Sequence, residues 1–112
     1  MDFAVNQDNG TAVVKVNVER LNASNASGLK AELVLLNKSS VNNIVIDMSN
    51  TKYCDSSGLS AILVANRMCK DTNGKFVLCG LMPNVQKLIE IAQLDKVLTI
   101  VASEDEAKAS IS

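Results

Sequence analysis

Apolar residues recur at every second position near the start of the chain. Phe3, Val5 and Gln7 share one face of an extended segment. Ala12, Val14, Val16 and Val18 alternate with Val13, Lys15 and Asn17. A period of two is that of a half-buried strand. Between the segments stands Asp8-Asn9-Gly10, and Asn-Gly favours the type I′ turn whose twist suits a hairpin. The pattern predicts two antiparallel neighbours.

The period then changes to that of a helix. Ala26, Leu29, Leu33 and Leu36 fall on one stripe. Asn22 or Ser24 is the expected N-cap, and the helix should stop near Lys38. Gly28 interrupts it, at a cost of ~1 kcal/mol relative to alanine. "NIVIDM" is a short β-branched run suited to a central strand covered on both faces. Leu59, Ile62 and Leu63, broadened by Ala61, Ala65, Met68 and Cys69, predict a second helix, with Gly74 placed for a turn or C-cap. "KFVLC" reads as another buried strand. Pro83 opens a third helix with the stripe Val85, Leu88, Ile89 and Ala92. "VLTIV" is the last strand, and Ser103 with Glu106 forms a capping box for a short fourth helix.

The order β-β-α-β-α-β-α-β-α implies an α/β fold. Right-handed crossovers give a mixed, mostly parallel sheet with an N-terminal hairpin. With 112 residues and no linker, repeat or low-complexity segment, residues 1–112 read as a single domain.

Composition narrows the function classes. The formal net charge of -1 supplies no basic field for nucleic acid or an anionic membrane. Apolar runs such as Leu33–Leu36 and Ala61–Ala65 are far too short to span a bilayer, and the Met-Asp start carries no secretory pattern. Cys54, Cys69 and Cys79 are widely spaced and histidine is absent, which argues against a metal site and against Ser-His or Cys-His catalysis. Reduced thiols, two of them in the core, fit a cytoplasmic protein. No Gly-rich phosphate loop or GxSxG elbow is present, so neither a cofactor nor enzyme chemistry is expected. No exposed apolar stripe demands a dimer, and a monomer is expected when the protein is free.

Ligands and partners of open α/β sheets use the carboxyl ends of the parallel strands. Loops 19–24, 49–57 and 80–83 should gather there. The middle one, "TKYCDSSGL", ends at a helix N-terminus, whose unsatisfied N–H groups and partial positive charge welcome an anion. A phosphate on Ser56 would add about 1.5–2 negative charges. Gly58, lacking a side chain, would let a partner or a kinase active site come close. The plainer reading is that Asp55, Ser56, Ser57 and Gly58 only cap the helix. The two readings are compatible. Tyr53 is either a partner anchor or half-buried support for the loop, and Cys54 is read as structural rather than redox-active.

With these residues in place the chain resembles the STAS family of sulfate transporter and anti-sigma factor antagonist domains, and most of all the free-standing bacterial anti-sigma factor antagonists. The likeness runs nearly end to end. Its most specific part is Asp55-Ser56-Ser57-Gly58-Leu59, preceded by "IDMS" and followed by "GKFVLCGLMPNVQKLIE". The resemblance implies that Ser56 is phosphorylated by an anti-sigma factor that is also a serine kinase. The unphosphorylated form would bind that kinase, and a PP2C-type phosphatase would reset it. It also implies that Asp55, Ser57, Gly58 and Leu59 shape the pocket, with Asn22, Ser24 and Met82 on neighbouring contact loops. Two departures stand out. Where many antagonists carry a Gly-Glu-Leu-Asp-like run, this chain reads "ERLNAS", and Gln93 replaces the glycine usual after the third helix. The alternative implied by the same family is a non-phosphorylated accessory subunit of a membrane transporter.

Overall fold

Asn9 and Gly10 both take positive φ, 51° and 80°, as the type I′ turn requires. They join β1 (Phe3–Asp8) to β2 (Thr11–Val16), which pair antiparallel from Phe3 opposite Val16 to Asp8 opposite Thr11. The expected hairpin is therefore present. The structure, a computed structural model, describes residues 2–111. Beyond the hairpin come β3 (Arg20–Leu21), α1 (Ala26–Lys38), β4 (Asn43–Asp47), β5 (Tyr53–Cys54) and α2 (Ser56–Asp71). They are followed by β6 (Phe76–Cys79), α3 (Pro83–Ile91), a 3-10 turn (Leu94–Lys96), β7 (Ile100–Val101) and α4 (Glu104–Ile111).

The main sheet has the order β1-β2-β4-β6-β7, parallel everywhere except in the hairpin. Alternation along the strands divides the interior in two. Ala12, Val14, Val16, Ile44, Ile46, Phe76 and Leu78 face α1, α2 and α3. Val13, Val45, Val77 and Cys79 face the other way, where Ala107 of α4 covers them. β4 is central and buried on both faces, as its unbroken apolar run predicts.

Helix ends follow local chemistry. α1 and α2 both finish in a left-handed residue, Ser40 and Asn73. Val41 N–H then reaches back to the Leu36 carbonyl at 3.0 Å, and Gly74 N–H to that of Cys69 at 2.7 Å. Gly28, expected only to weaken α1, leaves room for the Phe3 ring. A Cβ there would lie 3.1 Å from it.

Four expectations are corrected. The N-cap of α1 is Asn25, because Asn22 is occupied by a local turn with Ser24. The buried stripe of α2 is Gly58, Ala61, Ile62, Ala65 and Cys69, which turns Leu63 to solvent. Ala92, at the end of α3, is exposed. The last strand shrinks to Ile100–Val101, since Gln93 takes φ 60° and the chain turns through Leu94–Lys96 first. In the expected capping box, Ser103 Oγ accepts from Glu106 N–H at 3.2 Å, while the Glu106 carboxylate reaches Ala102 N–H in place of that of Ser103.

Candidate functional site

The three loops do meet at the carboxyl ends of β2, β4 and β6, and buried polar groups hold them together. Asp47, at the end of β4, accepts from Ser49 N–H at 2.9 Å, and Met48 N–H reaches the Cys79 carbonyl at 3.0 Å. Gly80 (φ 71°) passes so near that a Cβ would lie 2.9 Å from the Asp47 carboxylate. Thr51 is fully buried and donates to the Val18 carbonyl at 2.8 Å. Asn50 donates to Asn17 at 3.0 Å. A buried hydroxyl must find a partner, and Thr51 finds one on the neighbouring loop.

The sequence pattern missed a second, two-stranded sheet. β3 and β5 pair in parallel, Arg20 opposite Tyr53 and Leu21 opposite Cys54. The Glu19 carbonyl accepts the N–H groups of Lys52 and Tyr53, and the Leu21 carbonyl accepts that of Asp55 at 3.1 Å. The first two loops thus form one ribbon leading into α2. Two-residue strands are too short for any periodicity to reveal.

Asp55 caps α2. Its backbone is extended, and its Oδ1 accepts from the N–H groups of Ser57 and Gly58 at 2.9 and 3.1 Å. Ser56, the first helical residue, is exposed and has no part in the cap. Ser57 and Leu59 are half-buried. Gly58 does not offer the open approach expected of it. It is buried, and a Cβ there would lie 2.6 Å from Cys54 Sγ and 2.9 Å from the Leu21 carbonyl oxygen. Gly58 therefore lets α2 settle on the ribbon, which fixes the position of Ser56.

The remaining site residues lie on the ribbon and on the loops beside it. Tyr53 is 40% exposed, with the Arg20 guanidinium 4.4 Å from its ring centroid. Lys52, Tyr53, Met82, Pro83 and Asn84 line a groove of about 160 Å³, which brings the third loop beside the second. Asn22 and Met82 are half-buried and Ser24 is exposed. Asn22 Oδ1 accepts from both the N–H and the hydroxyl of Ser24, so these two shape the first loop jointly.

The cysteines are poor nucleophiles. Burial, with the Asp55 charge adding to it, pushes the Cys54 thiol up to about 11. Burial likewise raises Cys69 to about 11 and, with Asp47 and Glu104, Cys79 to about 12. Among the described residues no group of His, Cys, Asp or Glu is arranged to hold a metal ion, and no helix is long and apolar enough to cross a membrane.

A parallel α/β sheet with an exposed serine at a helix N-terminus on its carboxyl edge defines a class that comparison with known proteins makes specific. The family model described as STAS domain matches residues 2–107, and the chain belongs to that family. It is 29% identical over 90 residues to BtrV of Bordetella bronchiseptica, named as an anti-sigma factor antagonist, covering 80% of this chain and 78% of that one. An anti-sigma factor antagonist domain protein of Planctomyces limnophilus has the same fold, with a TM-score of 0.89, 16% identity and 99% and 98% of the two chains covered. The Bacillus cell-fate determinant SpoIIAA in its phosphorylated form is also similar, with a TM-score of 0.77, 20% identity and 98% and 99% coverage.

Proposed function

We propose that this protein is an anti-sigma factor antagonist that works by partner switching, with Ser56 as the switch. Unphosphorylated, it binds an anti-sigma factor that is also a serine kinase. The kinase transfers the γ-phosphoryl group of ATP to Ser56 Oγ, whose proton passes to a base on the kinase, and ADP leaves. The modified protein then lets go. A PP2C-type phosphatase hydrolyses the ester and restores the hydroxyl.

The observation that carries this reading is the setting of Ser56: exposed, first in α2, beside a cap that Asp55 already supplies. A phosphate there brings about 1.5–2 negative charges, and the helix end favours it by about 0.3–1 kcal/mol. The scaffold loses no hydrogen bond of the cap, so the added charge acts on whatever docks. A change of about 2.7 kcal/mol in docking is a hundredfold change in affinity, within reach of one charge placed against a complementary surface. The names of BtrV and of the SpoIIAA structure in its phosphorylated form support the assignment.

The test pairs the protein with candidate kinase anti-sigma factors and ATP. One phosphate on Ser56 is expected. Ser56→Ala should stay bound to the kinase, and Ser56→Asp should bind poorly. If both variants bind as the unmodified protein does, or if transporter components co-purify and no kinase does, the assignment fails.

A further inference from the structure

Arg20 lies on the ribbon that leads into Ser56. Its guanidinium lies over the face of Tyr53 at 4.4 Å, and among the described residues it makes no ion pair. The nearby carboxylate of Asp55 is engaged by two backbone N–H groups. The ribbon sets the geometry. Arg20 lies opposite Tyr53 and Leu21 opposite Cys54, Asp55 N–H bonds to the Leu21 carbonyl, and Asp55 is itself extended, so the ribbon leads directly into Ser56 at the start of α2. Ser56 is three residue steps from Tyr53, roughly 10 Å of extended chain, and Arg20 stands one strand spacing to the side. An extended arginine and a phosphoserine together can bridge that distance.

Resting on the assignment of Ser56 as phosphoacceptor, we propose that Arg20 is the phosphate's intramolecular counter-ion and that it leaves the Tyr53 ring to pair with it. A cation over an exposed aromatic ring is weakly held, whereas guanidinium and phosphate form paired, charge-assisted hydrogen bonds. Glu19 and Asp55 oppose the added charge, and Lys52 is the competing cation on the same ribbon. The transfer uncovers one face of Tyr53, which also lines the groove beside Met82 and Pro83. Phosphorylation then alters the docking surface twice, by charge at Ser56 and by shape at Tyr53.

The test needs no kinase. Phosphoserine is installed at position 56 during synthesis, in the otherwise unchanged chain and with Arg20→Gln or Lys52→Gln. Tyr53 is the only tyrosine and the chain has no tryptophan, so the near-ultraviolet emission reports on this ring alone. Pairing with Arg20 favours the dianion, so the phosphorus resonance should titrate lower than in the Arg20→Gln protein, by roughly half a pH unit. Quenching of Tyr53 by neutral acrylamide should rise on phosphorylation, and this rise should vanish with Arg20→Gln and persist with Lys52→Gln. Equal titration with and without Arg20, or a shift that depends on Lys52 instead, overturns the proposal. Because the phosphate is supplied chemically, that failure leaves partner switching at Ser56 standing, and a failure of switching in cells leaves this pairing intact.

Discussion

Gly58 lies against Leu21 with no space between them: a Cβ at Gly58 would come 2.9 Å from the leucine's carbonyl oxygen and 2.9 Å from its Cγ. That carbonyl also accepts the N–H of Asp55. The contact therefore joins the first loop, the second loop and the first turn of α2 at one point. Gly58→Ala must push the helix off the ribbon. The expected loss is about 1–3 kcal/mol, the usual penalty for overfilling a packed site. Denaturant midpoints measure it, and a variant as stable as the parent would refute the packing argument.

Asp55 holds the same first turn through its carboxylate. Asp55→Ala removes the acceptor for two N–H groups and should cost about 1 kcal/mol. Asp55→Asn keeps an oxygen in place and should cost much less. Thermal unfolding of both variants separates the cap from any role of the charge itself.

Much of this arrangement was legible in the amino-acid pattern. The hairpin, the stripe of α1 and the central strand follow from periodicities of two and 3.6, which long elements display. The serine at the helix entrance could be located for the same reason, since a helix start carries its own chemistry in Asp-Ser-Ser-Gly. What stayed hidden was set by contacts between distant loops. Thr51 looks like any loop threonine until its hydroxyl is seen buried against Val18. Arg20 and Tyr53 meet only because two-residue strands pair. Gly58 read as an opening and is a close contact, because an absent side chain signals equally well that something approaches from solvent or from the core.

The three thiols make stability sensitive to alkaline pH. Each is raised in the folded protein, Cys54 and Cys69 to about 11 and Cys79 to about 12, from an ordinary value of 9.0. Well below pH 9 the thiols are almost wholly protonated whether folded or not, and stability hardly depends on them. Above it the unfolded chain loses these protons first, so stability should fall as pH rises from about 9 to 12. Unfolding midpoints across that window should decline. At pH 8 the native thiols should alkylate far more slowly than those of the urea-unfolded chain, and rapid labelling of native Cys54 would contradict its packing.

Gln93 occupies left-handed backbone at φ 60°, where a side chain is unfavourable. Gln93→Gly relieves that strain, of order 1–2 kcal/mol, against a loss of up to ~1 kcal/mol in unfolded-chain entropy. A net gain of about 0.5–1 kcal/mol is expected, raising Tm by a few degrees. Scanning calorimetry decides it, and a lowered Tm would show that the glutamine makes a compensating contribution.

Among the described residues the outer strand of the hairpin borders only β2, so one side of its backbone has no strand beside it. Its second half, Asn6, Gln7 and Asp8, is exposed and polar. Such residues discourage sheet-to-sheet accretion between molecules. An unsealed border guarded in this way resists recruiting a second molecule's strand, and swapping those three side chains for valines would remove that protection and favour fibrous or amorphous precipitation.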